Sequence, residues 1–184
     1  MSFFESSGRF VFSGFIFSFL CVGLVFPATG AYEDLTEYVA EGDISRLLPR
    51  EATMTGSGME RWTGPKLTKE LGIGDEFEVE VSIAMTSAEA GTEAGKNTRG
   101  GIELSDSQGN TLSVALGSDG KNGFKHQVCW PNGCTRGDGT RNNGEKIKFG
   151  IKQKGKRLDV YVNNRWYWGG DSSPLIDLSK VVLH

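Results

Sequence analysis

The chain has 184 residues, a formal net charge of −3, three cysteines and two histidines, and 26 of its residues are glycine. The acidic total works against a nucleic-acid scaffold, and His126 and His184 are too few imidazoles for a histidine–thiolate metal cluster. The length suits one domain that buries a real core without many covalent staples.

From the N-terminus, the seventeen-residue run Phe10 to Phe26 is interrupted only by Ser13, Gly14, Ser18 and Gly23 and carries no charge. Small residues follow in Pro27-Ala28-Thr29-Gly30-Ala31, so residues 1–30 are expected to be an export signal cleaved to leave a chain starting near Ala31 or Tyr32. Glu5 cancels Arg9, leaving the positive front end thin. The rival reading is an uncleaved anchor, because the run reaches the roughly 17 residues of a membrane span; membrane contact is expected only in that case. Cleavage would make 31–184 a secreted or cell-surface domain. Residues 31–60 read as an irregular N-terminal extension in which Leu35 to Leu48 holds a turn or two of helix.

Alternation then takes over. Phe77, Val79, Val81, Ile83 and Met85 sit at every second position between Glu78, Glu80, Ser82 and Ala84, the pattern of a half-buried strand. Ile102 and Leu104 begin a strand that turns at 106–110 and returns through Leu112, Val114 and Leu116. A fourth strand is expected from Phe124 to Cys129. Ile147, Phe149 and Ile151 alternate with Lys148, Gly150 and Lys152, turn near Lys154-Gly155, and return through Leu158, Val160 and Val162. Asn163-Asn164 reads as a two-residue turn, since asparagine tolerates positive φ, leading into a strand from Arg165 to Trp168. Leu175, Ile176, Leu178 and Val181 to Leu183 predict a closing strand. Seven or so strands predict an all-β, two-sheet antiparallel sandwich, because one sheet would leave a face of large apolar residues in water.

With Cys21 removed in the signal, Cys129 and Cys134 remain as a pair around Trp-Pro-Asn-Gly, and a disulfide clipping a hairpin or loop tip is expected in an oxidising compartment. Charge is split along the chain. Residues 31–120 hold seven basic and seventeen acidic side chains, whereas 121–168 hold eleven basic and three acidic. The split means either a basic face for polyanions or adjacent strands that neutralise each other across a sheet.

Lys146-Ile147-Lys148-Phe149-Gly150-Ile151, followed by Arg157-Leu158-Asp159-Val160-Tyr161-Val162-Asn163-Asn164, resembles the late hairpin of the concanavalin A-like, laminin-G-like jelly rolls, with Asn164 where glycine is usual. Gly100-Gly101-Ile102-Glu103-Leu104 and Gly109-Asn110-Thr111-Leu112-Ser113-Val114 are similar to the mid-domain hairpin of such folds. The resemblance runs from about Trp62 to the end and implies a lectin-like jelly roll. Its members include lectins, glycan-binding modules, glycoside hydrolases, polysaccharide lyases and adhesion modules, so the fold leaves the chemistry open.

The two-residue Asn163-Asn164 loop sets Val162 opposite Arg165, Tyr161 opposite Trp166, Val160 opposite Tyr167 and Asp159 opposite Trp168. If the aliphatic set points inward, Tyr161, Trp166 and Trp168 gather outside beside Asp159 as an aromatic platform, with Arg165 and Trp130 as further contacts, suited to stacking on sugar rings. The plainer alternative is that these rings are covered. Noncatalytic carbohydrate binding is the leading expectation. Glu76, Glu78 and Glu80 share one strand face and are weak candidates for a glycan-active enzyme, although a solvated face explains the spacing and the family's hydrolase motif has Asp between two Glu. Lys146, Lys148, Lys152 and Lys154 share parity and suggest an anionic polysaccharide, or protection of a sheet edge. Arg136-Gly137-Asp138 spells an integrin-recognition tripeptide in what reads as a loop, although three-residue matches arise by chance; a structural or adhesion module that binds protein is the third expectation. No cofactor is expected; the 106–110 and 119–122 turns carry oxygen ligands that suit Ca²⁺, but such turns are ordinarily only turns.

Overall fold

The computed structural model describes residues 34–55, 64–86, 99–118, 124–137, 142 and 144–184, together with the backbone of 16–25. It is a sandwich of two seven-stranded antiparallel sheets. The first runs β13-β12-β11-β6-β1-β4-β3 and the second β10-β9-β8-β7-β14-β5-β2. In chain order the strands are β1 Ile16–Val25, β2 Val39–Glu41, β3 Ile44–Leu48, β4 Glu51–Thr55, β5 Lys66–Ile73, β6 Glu76–Met85 and β7 Arg99–Ser105. They continue as β8 Thr111–Ser118, β9 Phe124–Trp130, β10 Gly133–Arg136, β11 Lys146–Lys154, β12 Arg157–Val162, β13 Arg165–Gly170 and β14 Leu178–Leu183.

The core follows from period-two alternation. Phe77, Val79, Val81, Ile83 and Met85 of β6 lie beside Ile147, Phe149 and Ile151 of β11 and Leu158, Val160 and Val162 of β12 on the inner face of the first sheet. They meet Ile102, Leu104, Leu112, Val114, Leu116, Val128, Val181 and Leu183 from the second. Each such side chain taken from water contributes about 1.5–3 kcal/mol, which is why the alternating residues fix the register. Gln153, inward on β11, is satisfied by donating to the Leu175 carbonyl (3.1 Å) and accepting from Ser173 Oγ (2.7 Å).

Several expectations shift. The described part of the N-terminal extension is paired rather than irregular: β3 and β4 form a hairpin that buries Ala52 and Met54, and only Leu35–Glu37 is helical, as a single 3-10 turn. Its N-cap is Asp34, which accepts from the Thr36 amide at 2.8 Å. Leu175 and Ile176 precede the closing strand, which starts at Leu178. In the 184-residue chain, Ile16–Val25 lies between β6 and β4 and pairs with both. An uncharged apolar run of that kind suits a central strand as well as an export signal. The small-residue segment 27–31 lies outside the described residues. Among the described residues no helix is long and apolar enough to cross a membrane.

Candidate functional site

The outer face of the first sheet is laid out by the pairings Glu80 with Gly150, Gly150 with Tyr161, and Tyr161 with Trp166. Directly paired residues share a face, so one cross-strand row crosses four strands. Asn163 (φ 50) and Asn164 (φ 64) make the expected two-residue turn with both residues in the left-handed region. That turn brings Trp166 back beside Tyr161.

Trp166 is 58% exposed, yet its ring is held. Its indole N–H donates to Asp159 Oδ1 at 2.9 Å, and Arg157 grips the same carboxylate through Nε (2.8 Å) and Nη2 (3.1 Å) while its Nη1 reaches Asp171 at 3.0 Å. An exposed indole normally keeps rotamer freedom; here a hydrogen-bond chain removes it. Next to it lies a hollow of about 210 Å³ lined by Glu80, Gly150, Lys152, Tyr161 and Asn164. The hollow exists because Gly150 has no side chain: a Cβ there would have only the Tyr161 Cβ, 3.7 Å away, as a near neighbour. Lys152 Nζ sits 6.0 Å from the Tyr161 ring centroid.

The carboxylate row points outward as expected. Glu78 pairs with Lys152 and Glu80 with Lys148, each at 2.7 Å, and the hydrogen bond from Glu78 foremost holds the Lys152 ammonium above its ordinary range. Glu76 is exposed at the start of β6. The lysines therefore neutralise the acidic strand beside them. Edge protection does not explain them, since β11 lies between β6 and β12 and the edge strand is β13. The acidic and basic portions of the chain meet at this β6–β11 pairing.

Trp168 is a correction. A β-bulge shifts the register between Val160 and Tyr161, so Trp168 pairs with Val160 instead of Asp159 and shares its inward face, while Asp159 pairs with Gly169. Trp168 stacks on Trp130 at 4.6 Å and 25°, and both pack against the core. Tyr167, the extra residue of the bulge, meets the His126 ring edge-on at 4.6 Å and lies 3.4 Å from the Thr135 hydroxyl. Trp130, Tyr167 and Trp168 are thus a seam joining the edge hairpins of the two sheets. Arg165 pairs with Val162, so it too lies off the Tyr161–Trp166 face, exposed at the hairpin end. Gly169 permits the bulge: its φ is +146°, and a Cβ would fall 2.1 Å from the Leu158 carbonyl oxygen.

Cys129 and Cys134 are directly opposed on β9 and β10 and form the expected disulfide, Cα to Cα 4.0 Å. The 106–110 turn is clamped by Asp106, which accepts from the amides of Gln108 (2.9 Å), Asn110 (2.8 Å) and Ile176 (3.2 Å) and from Asn110 Nδ2 (2.8 Å). Four donors occupy the carboxylate that a Ca²⁺ would need. Burial pushes the Asp106 carboxyl up, and these hydrogen bonds outweigh it, holding it below the usual carboxylate range. The 119–122 turn lies outside the described residues, as does Asp138; Gly137 of the tripeptide is buried against His126. Among the described residues no group of three or more His, Cys, Asp or Glu could hold a metal.

The sequence matches no protein-family model and no curated relative. Solved structures do share its shape. Domain 4 of AbnA, a GH43 extracellular arabinanase from Geobacillus stearothermophilus solved with arabinotriose, superposes with a TM-score of 0.50 at 10% identity, over 91% of this chain and 83% of that one. SCLam, a non-specific endo-β-1,3(4)-glucanase of family GH16, gives 0.49 at 13% identity over 65% of this chain; the chain spans only 51% of that enzyme. The carbohydrate-binding module CBM66 from Bacillus subtilis gives 0.41 at 11% identity, over 70% of this chain and 83% of the module. What this chain shares with the arabinanase domain is the fold alone, a two-sheet antiparallel β-sandwich.

Proposed function

We propose that this domain binds carbohydrate without modifying it, on the outer face of the first sheet. The observation that carries this reading is Trp166, an exposed ring whose N–H is already bonded to Asp159, so that its face is presented at little further entropic cost. The adjoining hollow over Gly150 offers the Tyr161 ring edge, the Asn164 amide and the Glu80 carboxylate to sugar hydroxyls. The arabinanase domain that shares the fold was solved in complex with a carbohydrate, arabinotriose, which supports the same reading. Glu78 and Glu80 each already accept from a lysine, which favours binding over acid–base catalysis. Because those lysines are paired, a neutral glycan fits the face better than an anionic one. Trp166→Ala is expected to lower affinity at least tenfold on a glycan array or by calorimetry; unchanged binding would sink the reading.

Export is part of the same proposal, and the disulfide supports it. Cleavage near Ala31 would remove β1, and β4 would then have to close on β6 across one strand spacing of about 4.8 Å. Every residue of the site lies on β6, β11, β12, β13 or their turns, on the far side of β6 from β1, so the face would survive closure. Edman sequencing of secreted protein is expected to read from near Ala31; a start at Met1 would rule cleavage out.

A further inference from the structure

The outer face of the second sheet holds a separate groove of about 390 Å³, lined by Glu103, Thr111, Ser113, Trp130, Pro131 and the Cys129–Cys134 disulfide, with Gly133 beside them. We propose that this groove is a second site, for a neutral mono- or disaccharide. Its floor is a single cross-strand row: Glu103, Ser113, Cys129 and Cys134 stand opposite one another across β7, β8, β9 and β10. Small side chains at the centre of that row leave the space, and Trp130 and Pro131 line it where β9 enters its turn.

The chemistry differs from the first face. Glu78 and Glu80 are each bound to a lysine, whereas among the described residues Glu103 has no cationic partner and its one side-chain contact is Ser113 Oγ at 3.3 Å. Its remaining acceptor capacity faces the groove, next to the hydroxyls of Ser113 and Thr111. One carboxylate accepting two adjacent hydroxyls, hydroxyl groups that can donate in return, and an apolar wall of disulfide, indole and proline match the alternating polar edge and apolar face of a pyranose or furanose ring. A volume of this size takes one or two sugar residues. A metal is disfavoured by the single acidic ligand, and an anionic sugar by the unpaired carboxylate. The groove and the Tyr161–Trp166 face are the outer surfaces of opposite sheets, so one domain would hold two glycan chains at once.

The test is NMR titration of the disulfide-bonded protein with a panel of neutral mono- and disaccharides that includes cellobiose and lactose, in wild type, Trp166→Ala, Glu103→Ala and Glu103→Gln. Shifts of the Thr111 and Ser113 amides and the Trp130 indole N–H are expected in wild type and Trp166→Ala with the same affinity within about twofold. Glu103→Ala should weaken them about tenfold, the loss of a charge-assisted hydrogen bond, and Glu103→Gln by less. Perturbation confined to the Trp166 indole would overturn the second site and leave the first. Perturbation confined to the groove would do the reverse. Groove shifts that neither Glu103 variant weakens would overturn the role given to that carboxylate and with it the proposed site.

Discussion

The β12–β13 hairpin and the β9–β10 hairpin are both edge elements, both carry tryptophan, and both close with a tight turn, yet they put those rings to different uses. β12–β13 uses an Asn-Asn turn and a bulge three residues on, and it splits its aromatics: Trp166 goes out with Tyr161, Tyr167 and Trp168 go in. β9–β10 has regular register and a disulfide, and Trp130 turns toward the other sheet to meet Trp168. Residue type therefore says little about whether an indole is a contact or a seal. Register decides it, and one inserted residue reverses it.

The largest expected effect comes from removing the residue that permits the bulge. Gly169→Ala should cost about 3 kcal/mol or more in chemical unfolding, since the Cβ has no free space and the backbone is in a region that side chains disfavour; near-wild-type stability would mean that the bulge relaxes freely. Trp168→Ala should cost about 2–3 kcal/mol through the lost Trp130 stack and core contact, whereas Trp166→Ala should change stability by under about 0.5 kcal/mol while losing glycan binding. If the two variants behaved alike in both assays, the division between seam and platform would be wrong. Replacing both Cys129 and Cys134 by serine should cost about 2 kcal/mol, the entropy of so short a loop, and spare the Trp166 face.

Acid should show the most graded effect. His184 is pushed down from 6.5 to about 4, chiefly by burial and then by Lys66. A folded-state value below the unfolded one means that neutral His184 supports stability above 6.5 and that this support is lost as pH falls from 6.5 toward 4. Asp106, held low, keeps its contribution until pH falls below the unfolded carboxylate range. Urea midpoints measured across these windows should fall in two stages, and His184→Gln should flatten the first only.

Much of this was legible without coordinates. The alternating apolar residues of β6, β8, β11 and β12 name their own faces, because side-chain direction in a strand has period two, and the Asn163-Asn164 turn fixes Tyr161 opposite Trp166 by counting. The cysteines and the neutralisation of acidic β6 by basic β11 follow from the same local rules. What stayed hidden was non-local. Lys66–Ile73 has no clean alternation and becomes a strand because β14 and β2 flank it. The 34–55 segment likewise acquires its strands from partners. The inward turn of Trp168 depends on a bulge whose only local sign is Gly169-Gly170, and the groove at Glu103 and Ser113 assembles from four strands spread between residues 99 and 136.

By itself, then, the sequence determined which side chains face oil and which face water along the regularly alternating ribbons, since that depends on bonds between neighbours. Only the tertiary structure decided which ribbons lie side by side, and so which outward residues meet to form a surface that a ligand can use, because those contacts are made between residues far apart along the chain.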